Sequence, residues 1–159
     1  MSGMVHGTTL IIPEGTQKIE NRAYHYRTDF TKVVIPDSVT EIGYFAFDCC
    51  TSLVSITIPQ SVTTIGNHAF ALSTSLMSIS IPNSVTSIGH HAFACCRSLT
   101  SISIPISVTR IGRSAFEYCM SLSFVSLPES VTDIDRDAFY HCPALEVRAA
   151  KKDMKVKTL

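Results

Sequence analysis

A period of 23 residues governs almost the whole sequence from Pro13 to Ala150. Approximate copies of one segment follow each other without insertions, and they begin at Pro13, Pro36, Pro59, Pro82, Pro105 and Pro128. A repeat of fixed length in this range is typical of solenoids, in which each unit buries its apolar side only against its neighbours. We therefore expect the 159 residues to form one stack of coils, without a separate catalytic domain.

Each copy ends in an alternation of apolar and polar residues that stops at a proline. The middle copies read Leu-x-x-Ile-x-Ile, as at Leu76, Ile79 and Ile81, or Leu-x-x-Val-x-Leu from Leu122. Alternation with period two predicts a strand with one face in the core. Proline cannot donate a ladder hydrogen bond, so the strand is expected to end there. Residues 8–12 precede the first copy and are predicted to form an additional, capping strand.

The first half of each copy carries Ser-Val-Thr-x-Ile-Gly, which predicts a second short extended segment. The glycine, replaced by Asp135 in the last copy, is expected to turn the chain with a positive φ. A single helical or 3₁₀ turn is then predicted before the next strand. The copies after the first place a phenylalanine in this region, and these rings are predicted to stack as a spine: Phe47, Phe70, Phe93, Phe116 and Phe139.

Taken together, the copies read Pro-x-Ser-Val-Thr-x-Ile-Gly-x-x-Ala-Phe-x-x-Cys-x-Ser-Leu-x-x-Ile-x-Ile. This pattern closely resembles the BspA-type leucine-rich repeat and covers nearly the whole chain. The resemblance implies a leucine-rich-repeat β-solenoid, right-handed, with parallel strands on one face and short turns or 3₁₀ pieces on the other. It also implies recognition and adhesion, often at the surfaces of bacteria and protists, without catalysis. It supplies no family-wide site residues that could be transferred.

The two ends of the array depart from the pattern. The first copy has Glu20 in place of glycine and Tyr24 in place of phenylalanine, which is typical of terminal repeats because one of their faces meets solvent. The last copy has Arg148 where the first strand isoleucine is expected, so we expect the array to end there. We divide the chain into a lead-in with a capping strand (1–12), six repeats (13–150) and a basic tail (151–159). The tail is predicted to be solvated, with a trailing cap or a partner-binding segment as alternatives.

Charge and hydropathy restrict the classes of partner. The formal net charge is zero and 16% of residues are charged, so no electrostatic binding of nucleic acid or of an anionic membrane is expected. The beginning of the sequence lacks a basic region followed by an apolar run, and no stretch is long enough to span a bilayer. We therefore expect neither a signal peptide nor membrane insertion. The resemblance favours a cell-surface or secreted protein, whereas reduced cysteines would favour the cytoplasm, so compartment and oligomeric state stay open.

The cysteines follow the repeat. Thiols on successive coils would lie roughly 5 Å apart, which is within the Cα range of a disulfide. Ser73 and Arg27 occupy the same place in other copies, so we favour a buried, reduced ladder over a disulfide or a metal site. Cys49 and Cys95 sit one place before this ladder. Its members are Cys50, Cys96, Cys119 and Cys142.

Histidine, cysteine, serine and threonine side chains are the candidates for a metal site or an enzyme active site. His90, His91, Cys95 and Cys96 lie close in one copy, and His68 should lie one coil from His91. Zinc uses such ligands, but histidines in a surface turn and an inward cysteine do not converge on one point, so no metal site is predicted. No serine or threonine is paired by spacing with a histidine and an acid, and Gly-x-x-Ala-Phe lacks the features of a phosphate loop, so neither enzyme activity nor a cofactor is predicted. The other histidines are expected on the surface: His6, His25 and His141.

The outward places of the strands form the candidate binding surface. Small hydroxyl residues dominate it, and Lys32, Met77 and Phe124 are the exceptions. The hydroxyl residues can be interpreted as keeping an exposed sheet soluble, or as a docking surface whose specificity comes from the exceptions. The predicted partner-binding residues are Lys32, Ser55, Thr57, Met77, Ser78, Ser80, Thr100, Ser101, Ser103, Phe124 and Ser126.

We therefore predict a non-catalytic module for protein–protein recognition or adhesion, whose partner the sequence does not identify. A purely structural spacer within a longer array is the alternative. An ice-binding solenoid is disfavoured because the hydroxyl ladder is mostly serine rather than threonine. Oppositely charged residues on adjacent copies provide a test of how the coils align. Lys18 with Glu41 and Arg110 with Asp133 are predicted to form salt bridges.

Overall fold

Three walls run along a stack of six coils in the computed structural model, which describes residues 3–149. The coils begin at the prolines of the repeat. The first wall, the strand face, consists of β1 (Met4–His6), β2 (Thr9–Ile11), β4 (Lys32–Val34), β6 (Ser55–Thr57), β8 (Ser78–Ser80), β10 (Ser101–Ser103), β12 (Phe124–Leu127) and β14 (Glu146–Ala149). The second, the short-strand wall, consists of β3 (Lys18–Ile19), β5 (Glu41–Ile42), β7 (Thr64–Ile65), β9 (Ser87–Ile88), β11 (Arg110–Ile111) and β13 (Asp133–Ile134). The third, the turn wall, consists of residues 21–26, 44–49, 67–72, 90–95, 113–118 and 136–141.

Equivalent strands of successive coils pair in parallel. Ile56 of β6 lies opposite Ile79 of β8, and Ile42 of β5 lies opposite Ile65 of β7, one 23-residue period apart. The short-strand wall is a single six-stranded sheet, whereas the strand face is divided into β1-β2-β4-β6-β8 and β10-β12-β14. The parallel β-solenoid expected from the repeat is confirmed, and residues 3–149 contain no helix.

Predicted salt bridges confirm the register of the coils. The Lys18 Nζ lies 2.8 Å from Glu41 Oε1, and the Arg110 Nε lies 3.1 Å from Asp133 Oδ2. Each pair joins residues that face each other across adjacent short strands. Equivalent side chains therefore lie above one another along the stack.

The interior consists of columns of identical or similar side chains. The phenylalanine spine is confirmed: the ring centroids of Phe70 and Phe93 are 5.4 Å apart with an interplanar angle of 3°, and Tyr24 extends the stack below Phe47. Burying one such side chain contributes about 1.5 to 3 kcal/mol. Ordering the backbone costs about 1 to 2 kcal/mol per residue, so one coil cannot stabilise itself and the stacking is obligatory.

The repeated glycines contradict the predicted positive φ, which among the glycines of residues 3–149 occurs at Gly7 and Gly15. A Cβ on Gly66 would lie 2.8 Å from the carbonyl carbon of Gly43 in the preceding coil. Glycine is therefore required by the close approach of two backbones, not by a left-handed turn. Asp135, which replaces this glycine in the last coil, also lacks a positive φ.

Left-handed residues occur instead in the turn wall, twice in most coils. Phe45 and Cys49 have φ of 57° each, and their equivalents along the stack include His68 and Leu72. Alternate N–H groups of this segment donate to the next coil, as from Phe47 to the carbonyl of Ala69 at 2.7 Å. In a helix these N–H groups would donate to carbonyls of the same segment. The short turns of the predicted fold are present, as from the Asp48 N–H to the Phe45 carbonyl at 3.2 Å, whereas no helical or 3₁₀ turn forms because bonds between coils take the alternate donors.

The N-terminal segment contains one more strand than the sequence indicated. The predicted capping strand is present as β2, which pairs in parallel with β4. The preceding residues, which the sequence indicated only as a lead-in, form β1, which runs antiparallel to β2 with Met4 opposite Ile11. This outer strand covers the first edge of the strand face.

The last coil departs from the strict period. Val147 of β14 lies opposite Val125 of β12, which is one residue short of 23. Val147 packs against the core, so it takes the place that the repeat assigned to Arg148, and that assignment was wrong. The predicted basic tail, 151–159, lies outside the described residues.

Candidate recognition surface

The structure brings the predicted partner-binding residues onto the strand face. In β4, β6 and β8, Lys32, Ser55 and Ser78 lie side by side in register, as do Ser101 and Phe124 in β10 and β12. Their neighbours along each strand point into the core. Seven of the hydroxyl and charged residues are exposed, namely Lys32, Thr57, Ser78, Ser80, Thr100, Ser101 and Ser103, whereas Ser55, Phe124 and Ser126 are half-buried.

The three exceptional residues do not converge on one point. Lys32, Met77 and Phe124 belong to coils 1, 3 and 5. Adjacent strands of a sheet lie about 5 Å apart, so each of these residues is about 10 Å from the next. Met77 is 54% exposed and directly precedes β8. This arrangement is an extended surface, and it can contact a macromolecule at several points.

Sequence reasoning missed an apolar corner on the same face. Met4, Ile11 and Val34 lie opposite one another on β1, β2 and β4, and all three are exposed. Met4 was overlooked because β1 was not predicted. Ile106, 76% exposed, was also missed, although the sequence signals it: the other copies have a polar residue at this place.

A groove opens on the strand face where the ladder between β8 and β10 is interrupted. Its volume is about 370 Å³. The Thr100 nitrogen lies 3.4 Å from the Met77 carbonyl oxygen, whereas the equivalent distance one coil earlier, from Met77 to Val54, is 3.0 Å. On the strand face, coils 3 and 4 are therefore further apart than coils 2 and 3. The groove is lined by Ser78, Ile79, Ser80, Ile81, Asn83, Ser101, Ile102, Ser103 and Pro105.

The histidines weighed as zinc ligands make other contacts in the turn wall. The rings of His68 and His91 stack 4.6 Å apart at 12°, and Phe45 continues the stack. The backbone N–H of Arg113 donates to Nδ1 of His90 at 2.8 Å, so this imidazole acts as a hydrogen-bond acceptor between coils. No cluster of three or more potential His, Cys, Asp or Glu ligands occurs within residues 3–149.

His25 is less exposed than predicted. Its Nδ1 lies 3.0 Å from Oδ2 of Asp48, whose side chain is buried. The thiol of Cys49 donates to the same carboxylate oxygen at 3.6 Å. Asp48 therefore links coils 1 and 2 and is occupied by these contacts. His6 and His141 are exposed as predicted.

The four cysteines that share one place are buried with free thiols. The thiol of Cys96 donates to the backbone carbonyl of Phe70 at 3.2 Å, and that of Cys142 donates to Phe116 at 3.0 Å. Burial raises the pKa of Cys50 to about 12 and that of Cys142 to about 11. Neutral thiols of this kind are hydrogen-bond donors and poor nucleophiles.

The geometry defines a class of protein: a β-solenoid whose interior is filled by side-chain columns and whose exterior offers an extended surface. The chain belongs to the BspA type leucine rich repeat family, which matches residues 8–149 in six copies. Repeats of this family are a protein-interaction module, and both the family and its solenoid fold are typically non-catalytic.

Solved structures of leucine-rich repeat proteins are similar to this chain. The leucine rich repeat protein TpLRR of T. pallidum is 30% identical with a TM-score of 0.79, over 91% of this chain and 71% of that one. A leucine rich cell surface protein of Faecalibacterium prausnitzii is 31% identical with a TM-score of 0.71, over 92% of this chain and 33% of that one. The pneumococcal vaccine antigen PcpA, at 18% identity and a TM-score of 0.75, shares the fold over 91% of this chain and 36% of its own.

This chain therefore spans about a third of the length of the F. prausnitzii protein. The comparison with curated proteins gives no match. No helix of the length and hydropathy of a bilayer span occurs in residues 3–149.

Proposed function

We propose that this chain recognises a protein partner through its strand face and acts in adhesion at a cell surface. The observation that carries the proposal is the exposure of Lys32 and Met77, at regular spacing with Phe124, on a sheet otherwise covered by small hydroxyl residues. Charged, aromatic and long apolar side chains concentrate binding energy at interfaces, whereas serine contributes little. A partner that contacts all three residues spans coils 1 to 5 of the stack.

Membership of the family and the likeness to a leucine rich cell surface protein support the location. The extended arrangement supports a macromolecular partner, because Lys32, Met77 and Phe124 are spread over coils 1 to 5 and cannot all contact one small molecule. Domain boundaries at residues 12 and 150 belong to the same proposal, with the repeats as the binding unit.

The test is partner capture by the immobilised chain from extracts of host or neighbouring cells. We expect Lys32→Glu combined with Phe124→Ser to reduce capture of the partner at least tenfold. The matched control is Arg113→Glu with Tyr140→Ser, which makes the same kinds of exchange at exposed residues of the turn wall. Undiminished capture by the strand-face variant, or an equal loss in the control, would remove the strand face from consideration.

A further inference from the structure

The strand face contains one distinct feature among its predicted partner-binding residues, the groove between coils 3 and 4. We propose that this groove binds an extended, uncharged peptide segment of the protein partner; this inference rests on the strand-face function proposed above. Backbone groups, side-chain hydroxyls and the two ends of the groove each support it.

Backbone groups in the groove lack the pairing found in neighbouring coils. Strands β6 and β8 share three in-register pairs, and so do β10 and β12. Between β8 and β10 no ladder forms, although the chain runs in the same direction on both sides. Backbone N–H and C=O groups that face such a gap retain their capacity for hydrogen bonds with another chain.

Hydroxyl groups line both sides of the gap. Ser78, Ser80, Ser101 and Ser103 are exposed, and their hydroxyls make no hydrogen bond to other residues within 3–149. Two nearby serines differ: the hydroxyls of Ser84 and Ser107 donate to the carbonyls of Val62 and Val85. Each seryl hydroxyl both donates and accepts, which suits the alternating N–H and C=O groups of an extended peptide.

Apolar residues adjoin the groove lining in the sequence. Met77 directly precedes Ser78, Ile106 directly follows Pro105, and both side chains are more than half exposed. One side of the groove is lined by residues between Ser78 and Asn83, a six-residue segment, so an extended peptide of four to six residues matches its length. Such a peptide would place an apolar side chain at each end.

The lining contains no charged residue. A strongly charged segment would lose hydration on entry without gaining an ion pair, so an uncharged segment is favoured. A sugar could use the hydroxyls, but it would leave Met77 and Ile106 without apolar contacts. The chemistry of the groove therefore fits a neutral peptide better than either alternative.

The test begins with selection of linear peptides from a random eight-residue library on the immobilised full chain. Enriched peptides should contain two apolar residues separated by three or four positions and few charges. Titration calorimetry with a selected synthetic peptide should then show at least a tenfold weaker affinity for Ser80→Lys combined with Ser101→Lys. The control, Thr86→Lys with Thr132→Lys, adds the same charge at exposed residues beside the short-strand wall and should stay within twofold of the parent.

Hydrogen exchange provides a second readout that does not depend on the substitutions. Amides of β8 and β10 that face the gap should exchange faster than those between β6 and β8, and the selected peptide should slow them. Enrichment of no peptide, enrichment of charged peptides only, or binding unaffected by the groove substitutions would overturn the inference.

The two proposals fail in different ways. If the selected peptides are sensitive to Lys32→Glu with Phe124→Ser but not to the groove variant, the strand face stands and the groove does not. If neither variant changes binding, both are wrong. Binding of neutral oligosaccharides in place of peptides, lost in the groove variant, would also overturn the assignment to a peptide.

Discussion

The hydroxyl of Ser73 donates a hydrogen bond to the backbone carbonyl of Phe47, 2.9 Å away. Cysteine thiols make the equivalent bond in four other coils, as from Cys119 to the carbonyl of Phe93 at 3.2 Å. This place in the coil therefore needs a small side chain with one donor, because it bonds a buried carbonyl of the preceding coil. A disulfide along the column would remove two of these donors.

We expect serine to replace these cysteines at little cost. Cys96→Ser should lower the free energy of unfolding by less than about 1 kcal/mol, since Ser73 shows that the site accepts a hydroxyl. Cys96→Ala should lower it by about 1 to 3 kcal/mol, because a buried carbonyl loses this donor and a small void remains. Urea unfolding measures both. Equal stability of the two variants would contradict the role of the donor.

Alkaline pH should destabilise the fold through the same thiols. Burial raises the pKa of Cys50 to about 12, above that of a thiol in the unfolded chain. The protonated, buried thiol contributes its full stabilisation below the unfolded pKa near 9, and this contribution is lost as pH rises toward the folded pKa. The loss is at most about 1.4 kcal/mol per thiol for each pH unit.

The measurement is the free energy of unfolding from pH 8 to 10.5. A variant with serine at positions 50, 96, 119 and 142 should show a shallower fall than the parent. Some slope should remain, because burial also raises the pKa of Tyr24. Identical slopes in parent and variant would show that the thiols do not titrate as their burial requires.

Gly66→Ala should destabilise the chain strongly. The new Cβ would lie 2.8 Å from the carbonyl carbon of Gly43, so two coils must separate, at a cost of about 1 to 3 kcal/mol or more. Gly15→Ala is the matched control, since its Cβ meets nothing within 4 Å but its φ is +81°. That variant should lose about 1 kcal/mol through backbone strain alone. A greater loss at Gly15 than at Gly66 would contradict the close-approach explanation.

Mild acid should weaken the histidine stack of the turn wall. Burial, and next the nearby His91, lower the pKa of His68, while the charge of Asp48 opposes this shift. The neutral His68 ring contributes its full stabilisation above the unfolded pKa near 6.5, and this contribution is lost as pH falls through the folded pKa. The effect should stay below about 1 kcal/mol because the ring is partly exposed to solvent.

His68→Phe should reduce this dependence, since it keeps a ring stacked on Phe45 without a titrating group. The measurement is the difference in Tm between pH 7.5 and pH 5 for the parent, His68→Phe and the control His6→Gln at the exposed edge of β1. A parent-like difference in His68→Phe, or its loss in the control, would show that another group is responsible.

The amino-acid sequence by itself determined the walls, their order and the contents of the core. Each coil buries its apolar side chains only on its neighbours, so a strict period places Phe70 below Phe93 and Lys18 beside Glu41 without knowledge of the backbone. The same logic identified the strand face, because residues that alternate with core residues must point outward.

Only the tertiary structure decided what depends on contacts between backbones of different coils. The close approach at Gly66, the left-handed residues at Phe45 and Cys49, and the shift of Val147 follow from hydrogen bonds and packing across coils. Side-chain periodicity does not encode them, since the same letters are compatible with a helical turn and a regular last coil. The groove at Ser80 and Ser101 is of the same kind, because it arises where the strand-face ladder between two coils of regular sequence is interrupted.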